Sequence, residues 1–313
     1  MSLAPPTTAY DLTLLKGPPQ RGTAHDHGWC YGLPPGIAES QWPLSPHDGF
    51  PMQPCFTLRL PEQYRAKGPN YVALAMFADQ QHDEPDQIEA VAEYLAAETS
   101  ERPSDPDLMP YWTYKQNRHP MEFRMTDIID HHFAAIWLTE TEFAGPLCQP
   151  PQLLGNQLLG NRLLRNNPPW IEKGAARAAF ELQVGDYDDV EALVRKHWYR
   201  LFGRIPQIGH HAYGIAISLR EGDPNVGKPP RDRLLHKNEL GDYVAPYSKE
   251  AEAFDLAPLS GRNHLGGTMF PCQWTQKFSA IYLEIEEHFG GFNFGGGNAQ
   301  LDLETMEFDW SCG

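Results

Sequence analysis

Alternating apolar and polar positions predict strands near both ends of the chain. Residues 56–60, 279–286 and 298–303 contain apolar side chains at every second position, which is the pattern of a half-buried strand. Residues 71–78 form a more continuous apolar run, typical of a strand that is buried on both faces. The sequence predicts three further strands, at 133–138, 178–184 and 211–219.

Apolar residues with helical spacing predict two longer helices. Over residues 86–98, Ile88, Val91 and Leu95 fall on one face. Residues 188–202 show the same spacing and are followed by a glycine that ends the helix.

The 29 prolines and 27 glycines predict long loops between these elements. The Pro-rich, aromatic segment 99–122 is expected to be a loop, and residues 248–256 a short helix. The glycines between residues 290 and 297 suit a turn between two strands, with a backbone site for an anion as the alternative. The elements together predict an α+β fold, in which a mixed or antiparallel sheet is combined with a few helices.

A leucine-containing repeat of five residues occupies positions 152–166. The sequence Gln-Leu-Leu-Gly-Asn occurs twice and is followed by a third copy, Arg-Leu-Leu-Arg-Asn. The period matches neither a helix nor a strand, so we expect a loop. Paired leucines on a loop favour a contact surface, because they are costly to leave in water.

Cysteine usage and the absence of long apolar runs predict a cytoplasmic protein. The five cysteines are scattered and form no C-x-x-C pair, which favours reduced thiols over disulfides or a zinc site. No run of 18 apolar residues suggests a membrane span. The N-terminal residues lack the basic start and apolar stretch of a secretion signal.

The charge balance is strongly acidic. The chain has 25 basic and 41 acidic residues, for a formal net charge of −16. This charge excludes nucleic acid and anionic membranes as expected partners and favours a basic protein, although solubility alone also explains it. Residues 79–107 contain ten acidic residues and one basic residue.

The acidic segment supplies the candidate partner-binding residues. In the predicted helix 86–98 the apolar face suffices for packing, so the acidic side chains are free to face outward. Neighbouring like charges on a helix cost roughly 0.2–0.5 kcal/mol per pair, which is easier to understand if a cationic partner binds there. The predicted partner-binding residues are Asp83, Glu84, Asp86, Glu89 and Glu93.

Three histidine groups are the candidates for a metal site, for zinc or iron. They are His25 with His27, His131 with His132, and His210 with His211. Adjacent histidines on a strand point to opposite faces, so each adjacent pair offers one ligand to a given site. No H-E-x-x-H motif is present, and the sequence assigns no metal ligand.

Motifs for the common catalytic and cofactor sites are also missing. The chain has no G-x-S-x-G sequence, no Walker sequence, and no G-x-G-x-x-G that follows a strand and opens a helix. The sequence therefore predicts no catalytic residue and no cofactor.

Short motifs at both ends resemble the YwqG-like family of uncharacterised bacterial proteins. The N-terminal motifs are Gly32-Leu-Pro-Pro-Gly-Ile37, Trp42-Pro43, Gly49-Phe-Pro-Met52 and a strand that ends at Leu60-Pro61. The C-terminal motifs are Leu265-Gly-Gly267, Pro271 with Gln273, the strand Ile281–Ile285 and a glycine-bearing hairpin over Phe294–Leu303. The chain departs from the family in the last turn, where Gly296-Gly297-Asn298 replaces an aspartate-containing turn.

The resemblance implies a single α+β domain over residues 1–313, with both ends in one sheet and residues of about 79–262 inserted between them. Members of the family occur beside polymorphic toxins. The resemblance thus implies a cytoplasmic immunity protein that neutralises a cognate toxin, such as a secretion-system effector or nuclease, by direct binding. A metal-dependent enzyme that uses the histidine groups, and a scaffold whose partner and self-association are unknown, are the alternatives.

Overall fold

Eleven strands form one antiparallel sheet within the described residues. The computed structural model describes residues 4–79, 88–98, 101–127, 129–152, 168–185, 188–231, 241–274 and 277–313. The strands are β1 (Tyr10–Leu14), β2 (Gly28–Cys30), β3 (Gln53–Arg59), β4 (Tyr71–Ala78), β5 (Glu122–Thr126), β6 (His132–Thr139), β7 (Tyr213–Leu219), β8 (Asn263–Leu265), β9 (Tyr282–Glu286), β10 (Asn298–Asp302) and β11 (Phe308–Ser311). Their order across the sheet is β11-β10-β9-β8-β1-β7-β2-β3-β4-β6-β5.

The two ends of this sheet meet. The Phe133 ring of β6 and the Phe308 ring of β11 lie with centroids 4.3 Å apart. The Trp310 Nε1–H donates to Asp127 Oδ2, just beyond β5, at 2.5 Å. The sheet therefore curves around its core until strands from opposite edges are in contact.

The glycine-rich stretch after β9 fills this core. Phe289 and Phe292 contact Phe56 of β3, and Phe292 and Phe294 stack on each other. Phe294 also reaches Phe308 of β11. The glycines allow the backbone turns that place three aromatic rings between opposite walls of the sheet.

Six α-helices of the described residues lie around the sheet. They are α1 (Glu89–Ala96), α2 (Met109–Asn117), α3 (Glu140–Phe143), α4 (Pro169–Lys173), α5 (Ala175–Val184) and α6 (Asp188–Phe202). Trp198 of α6 packs against Phe180 of α5 and Tyr31 beside β2, so α5 and α6 cover one side of the sheet. Helices α1 and α2 form a smaller apolar cluster through Val91 and Tyr111.

The α+β class and most of the sequence-predicted strands are confirmed. The strands predicted at 56–60, 279–286 and 298–303 correspond to β3, β9 and β10 of the one sheet. From residues 79–262, which the resemblance treats as an insertion, β5, β6 and β7 belong to the same sheet.

Two predictions are wrong. Residues 178–184 belong to helix α5, and the segment expected to be a loop at 99–122 contains α2. The short helix predicted at 248–256 is a single 3₁₀ turn over Glu250–Ala253. The leucine repeat lies outside the described residues, apart from Gln152 at its start.

None of the helices in the described part of the chain has the length and apolar character needed to cross a membrane.

Candidate functional site

Helix α1 presents an acidic face, as the sequence predicts. Val91 is fully buried, while Glu89 and Glu93 are exposed. Among the described residues neither carboxylate has an ion-pair partner. The other three predicted partner-binding residues, Asp83, Glu84 and Asp86, lie outside the described residues.

Helix α1 is fixed at both of its ends. The Ile88 amide donates to the His47 carbonyl oxygen at 2.9 Å. At the other end, the Lys115 ammonium donates to the carbonyl oxygens of Tyr94 and Ala97, at 3.0 and 2.5 Å. A cation at the C-terminus compensates the helix dipole and leaves the acidic face uncompensated.

A group of two histidines and one aspartate lies beside the start of α1. His132 is the first residue of β6, Asp130 is in the turn between β5 and β6, and His47 comes from a turn before β3. The Nε2 atom of His132 is 3.6 Å from Asp130 Oδ1, and that of His47 is 4.0 Å from Asp130 Oδ2. The imidazole centroids are 4.7 Å apart.

Local hydrogen bonds fix this turn. Asp127 Oδ1 accepts from the amides of Ile129 and His131, at 2.9 and 2.8 Å. Asp130 has a φ of 66°, in the left-handed region that aspartate tolerates better than most residues. Burial, and then the neighbouring His47, lowers the pKa of His132 to about 4, so its imidazole is neutral at pH 7.

A half-buried carboxyl group lies next to these residues. The Ser45 hydroxyl donates to Asp79 Oδ2 at 2.6 Å. Burial, together with the nearby charge of Asp48, raises the pKa of Asp79 to about 6. Asp79 therefore exchanges its proton close to neutral pH.

The structure does not bring the three predicted histidine groups together in the described part of the chain. The one set of three potential metal ligands found there contains His132 but none of the other predicted histidines. His131, which precedes β6, pairs with Asp127 at 3.4 Å and is not part of this set. His27 lines a separate cavity of about 500 Å³, with Arg21 and Arg59.

A second acidic site lies in a cleft between helices α5 and α6 and the end of β9. The cleft has a volume of about 690 Å³. Glu286, Glu287, His288 and His197 line it, opposite the apolar side chains of α5 and α6. Burial, followed by the charges of Glu284 and Glu287, raises the pKa of Glu286 to about 7.

The backbone amides of the glycine-rich stretch bind an anion that belongs to the chain itself. Glu287 Oε1 accepts from the amides of Phe294 and Gly296, at 2.6 and 2.9 Å. The glycine-rich backbone thus binds an anion, as the alternative interpretation of the sequence expects. The anion is the Glu287 carboxylate of the chain itself, which occupies these two amides. Glu286, next to it, can donate or accept a proton near neutral pH.

Other buried charges have a structural role. The Arg220 guanidinium donates to Asp11 Oδ1, Asp223 Oδ2 and the Leu259 carbonyl oxygen, at 2.5, 2.9 and 2.9 Å. These bonds tie the end of β7 to β1. Since they satisfy the guanidinium within the protein, we assign no ligand to this group.

Sequence patterns identify α1 but miss His47 and the pair Glu286 and Glu287. His47 and His132 are far apart in the chain, and no spacing motif connects them. Glu286 is the last residue of a predicted strand and Glu287 follows it, and this position at a strand end is the one signal that singles them out.

Comparisons with models of protein families, with curated proteins and with solved structures find no match for this chain. Its resemblance to the YwqG-like family remains a prediction from the sequence.

Proposed function

We propose that this protein is a cytoplasmic binding protein of the immunity type, which neutralises a cognate bacterial toxin by direct contact. The toxin carries a basic surface. The observation that carries the proposal is the exposed pair Glu89 and Glu93 on α1, beside a helix face that is already packed through Val91.

The spacing of this pair supports a binding role. Glu89 and Glu93 are four residues apart, so their carboxylates are neighbours on the helix surface and repel each other by a few tenths of a kcal/mol. A cationic side chain of a partner placed between them relieves this repulsion.

The charge of the whole chain acts in the same direction. A net charge of −16 attracts a basic protein from a distance and increases its association rate, most strongly at low ionic strength. The same charge disfavours binding to nucleic acid and to anionic membranes, which are therefore not among the proposed partners.

The test measures association with the toxin encoded next to this protein in the genome. Glu89→Lys with Glu93→Lys is compared with a control, Glu221→Lys with Glu307→Lys, which changes the net charge equally at exposed positions outside α1. We expect the α1 variant to associate at least about tenfold more slowly than the control, with a weaker dependence on salt. Equal association rates for the two variants would remove the α1 face from the proposal.

A metal-dependent enzyme is the second candidate function, because His47, Asp130 and His132 lie together. Turnover that requires a bound metal, and is lost with it, would favour the enzyme over a protein that acts by binding alone.

A further inference from the structure

We propose that His47, Asp130 and His132 form a binding site for one divalent transition metal ion, with Zn²⁺ as the best match. This inference does not depend on toxin binding, because it rests on the geometry of three side chains.

The distances suit a tetrahedral ion. One potential ligand atom from each of the three residues lies within 4.8 Å of the other two. Around Zn²⁺, with bonds of about 2.1 Å, ligand atoms are about 3.4 Å apart. His132 Nε2 and Asp130 Oδ1 are already 3.6 Å apart. His47 Nε2 lies 3.2 Å from the Asp130 carbonyl oxygen and 4.0 Å from Asp130 Oδ2, so binding of the ion requires this imidazole to give up its hydrogen bond to the carbonyl and turn its lone pair toward the carboxylate.

The orientation of His132 favours a metal ligand. Its Nδ1 atom lies 3.0 Å from the Thr126 hydroxyl oxygen. When Nδ1–H donates to that oxygen, the Nε2 lone pair faces Asp130 and His47. Metal-binding histidines are commonly held in this way by a hydrogen bond from the other ring nitrogen.

The backbone on the other side of the site is also fixed. The His47 amide donates to the Ser45 hydroxyl oxygen at 3.3 Å, and its carbonyl oxygen accepts from Ile88. The half-buried Asp79 carboxyl group interacts electrostatically with His47, which adds attraction for a cation.

The ligand types decide between metals. Two imidazoles and one carboxylate suit Zn²⁺ and similar transition metals, whereas Ca²⁺ and Mg²⁺ prefer sites made of oxygen atoms. The Asp130 side chain is 74% exposed, so a fourth coordination position is open to water or to a substrate.

The test begins with purified full-length protein freed of metal by a chelator. Calorimetric titration with Zn²⁺ should give one saturable site per chain, and titration with Co²⁺ should give the absorption bands of a tetrahedral complex. Absence of a one-to-one site in the unmodified protein would overturn the proposal.

Variants then locate the site. Thr126→Val removes a group that orients a ligand, a loss that typically weakens metal binding by roughly 10- to 100-fold, and it should weaken Zn²⁺ binding by about 10-fold. His47→Gln and His132→Gln each remove a ligand itself and should weaken Zn²⁺ binding by more than this range. The matched control His131→Gln changes the adjacent imidazole, which pairs with Asp127, and should leave the affinity unchanged.

Asp130→Asn tests the site without disturbing the fold, because the Asp130 side chain is exposed. It should weaken Zn²⁺ binding while the thermal unfolding temperature of the metal-free protein stays the same. Unchanged affinity in both histidine variants, or equal loss in His131→Gln, would assign the ion to other surface histidines and overturn the site.

Discussion

At the residue scale, two neighbouring glutamates show how local partners decide the state of a carboxyl group. Burial raises the pKa of both carboxyl groups. In Glu287 two backbone hydrogen bonds oppose this rise, whereas the charges of Glu284 and Glu287 add to it in the half-buried Glu286. The pKa of Glu286 rises from an ordinary value of 4.5 to about 7 as a result. Glu286 is therefore a source of pH-dependent stability in the cleft.

We predict that Glu286→Gln stabilises the protein above neutral pH. Between pH 4.5 and 7 the folded protein holds a proton on Glu286 that the unfolded chain releases, so rising pH lowers the stability of the unmodified protein through this window. Removing the ionisable group should increase the free energy of unfolding by about 2 kcal/mol at pH 8 and change it little at pH 4.

Urea unfolding at the two pH values measures this difference. Glu221→Gln, at an exposed position, is the control and should change the stability by less than about 0.5 kcal/mol at either pH. An equal gain for Glu286→Gln at both pH values would show that the effect comes from packing rather than ionisation.

The cysteines give a second prediction at this scale. All five are unpaired; Cys30, Cys55 and Cys148 are buried, and Cys272 and Cys312 are exposed. Burial raises the pKa of the Cys148 thiol to about 11, which further lowers its reactivity at neutral pH. We expect a thiol reagent to modify two cysteines rapidly in the folded protein and all five after denaturation without reductant. A denatured total below five would indicate a disulfide.

At the scale of elements, periodicity identifies long strands well and misjudges an alanine-rich segment. Ala178, Phe180, Leu182 and Val184 alternate like a strand, yet they belong to α5. The residues that α5 buries are Ala175, Ala176, Ala179 and Phe180, which have helical spacing. Alanine, leucine, glutamate and glutamine favour a helix, and this preference is stronger than four alternating positions.

The candidate sites also differ in how far the sequence alone predicts them. The outward face of α1 follows from local spacing alone, so the sequence predicts the exposure of Glu89 and Glu93. The approach of His47 to His132 depends on two contacts between residues distant in the chain. Strand β4 pairs with β6, and Ser45, in the same turn as His47, donates to Asp79 directly after β4. A single sequence contains no local pattern that reports such a pairing.

Two glycines after β9 provide a matched pair for testing how α5 packs on the sheet. Gly291 and Gly296 have similar positive φ angles of 78° and 81°. A Cβ atom at Gly291 would lie 2.5 Å from the Ala179 Cβ of α5, whereas a Cβ at Gly296 would meet nothing within 4 Å.

We predict that Gly296→Ala costs about 1 kcal/mol of stability through backbone strain, and that Gly291→Ala costs about 1–3 kcal/mol more through overlap with α5. Chemical denaturation of both variants measures the difference. Equal losses would show that α5 can shift to make room, and that its contact with the glycine-rich stretch is loose.

At the scale of the whole molecule, the sequence predicts that strands from both ends share one sheet, but not that this sheet curves until its edges meet. Besides the hydrogen bond from Trp310 to Asp127, the contacts that close it are made by aromatic and sulfur-containing side chains. Trp137 of β6 directs its Nε1–H at the Met306 sulfur at 3.2 Å, next to the contact between Phe133 and Phe308. Alternation shows which face of a strand is buried, and gives no information about which distant strand covers it.

The closure predicts that the edges of the sheet are stabilised together. Phe308→Ala removes a ring that is packed on Phe133 and should reduce the free energy of unfolding by about 3–4 kcal/mol. Phe254, which is 41% exposed, provides a control of the same chemistry, and Phe254→Ala should cost clearly less, about 1 kcal/mol.

Hydrogen exchange separates cooperative closure from a local defect. Because β11 covers β6 across the core, the loss of the Phe308 ring should reduce amide protection in β5 and β6 as well as in β11, although β5 and β11 are at opposite ends of the strand order. If amide protection falls in β11 alone, the two edges of the sheet unfold independently. The contact between them would then be a result of the sheet's curvature and would not stabilise the closed sheet.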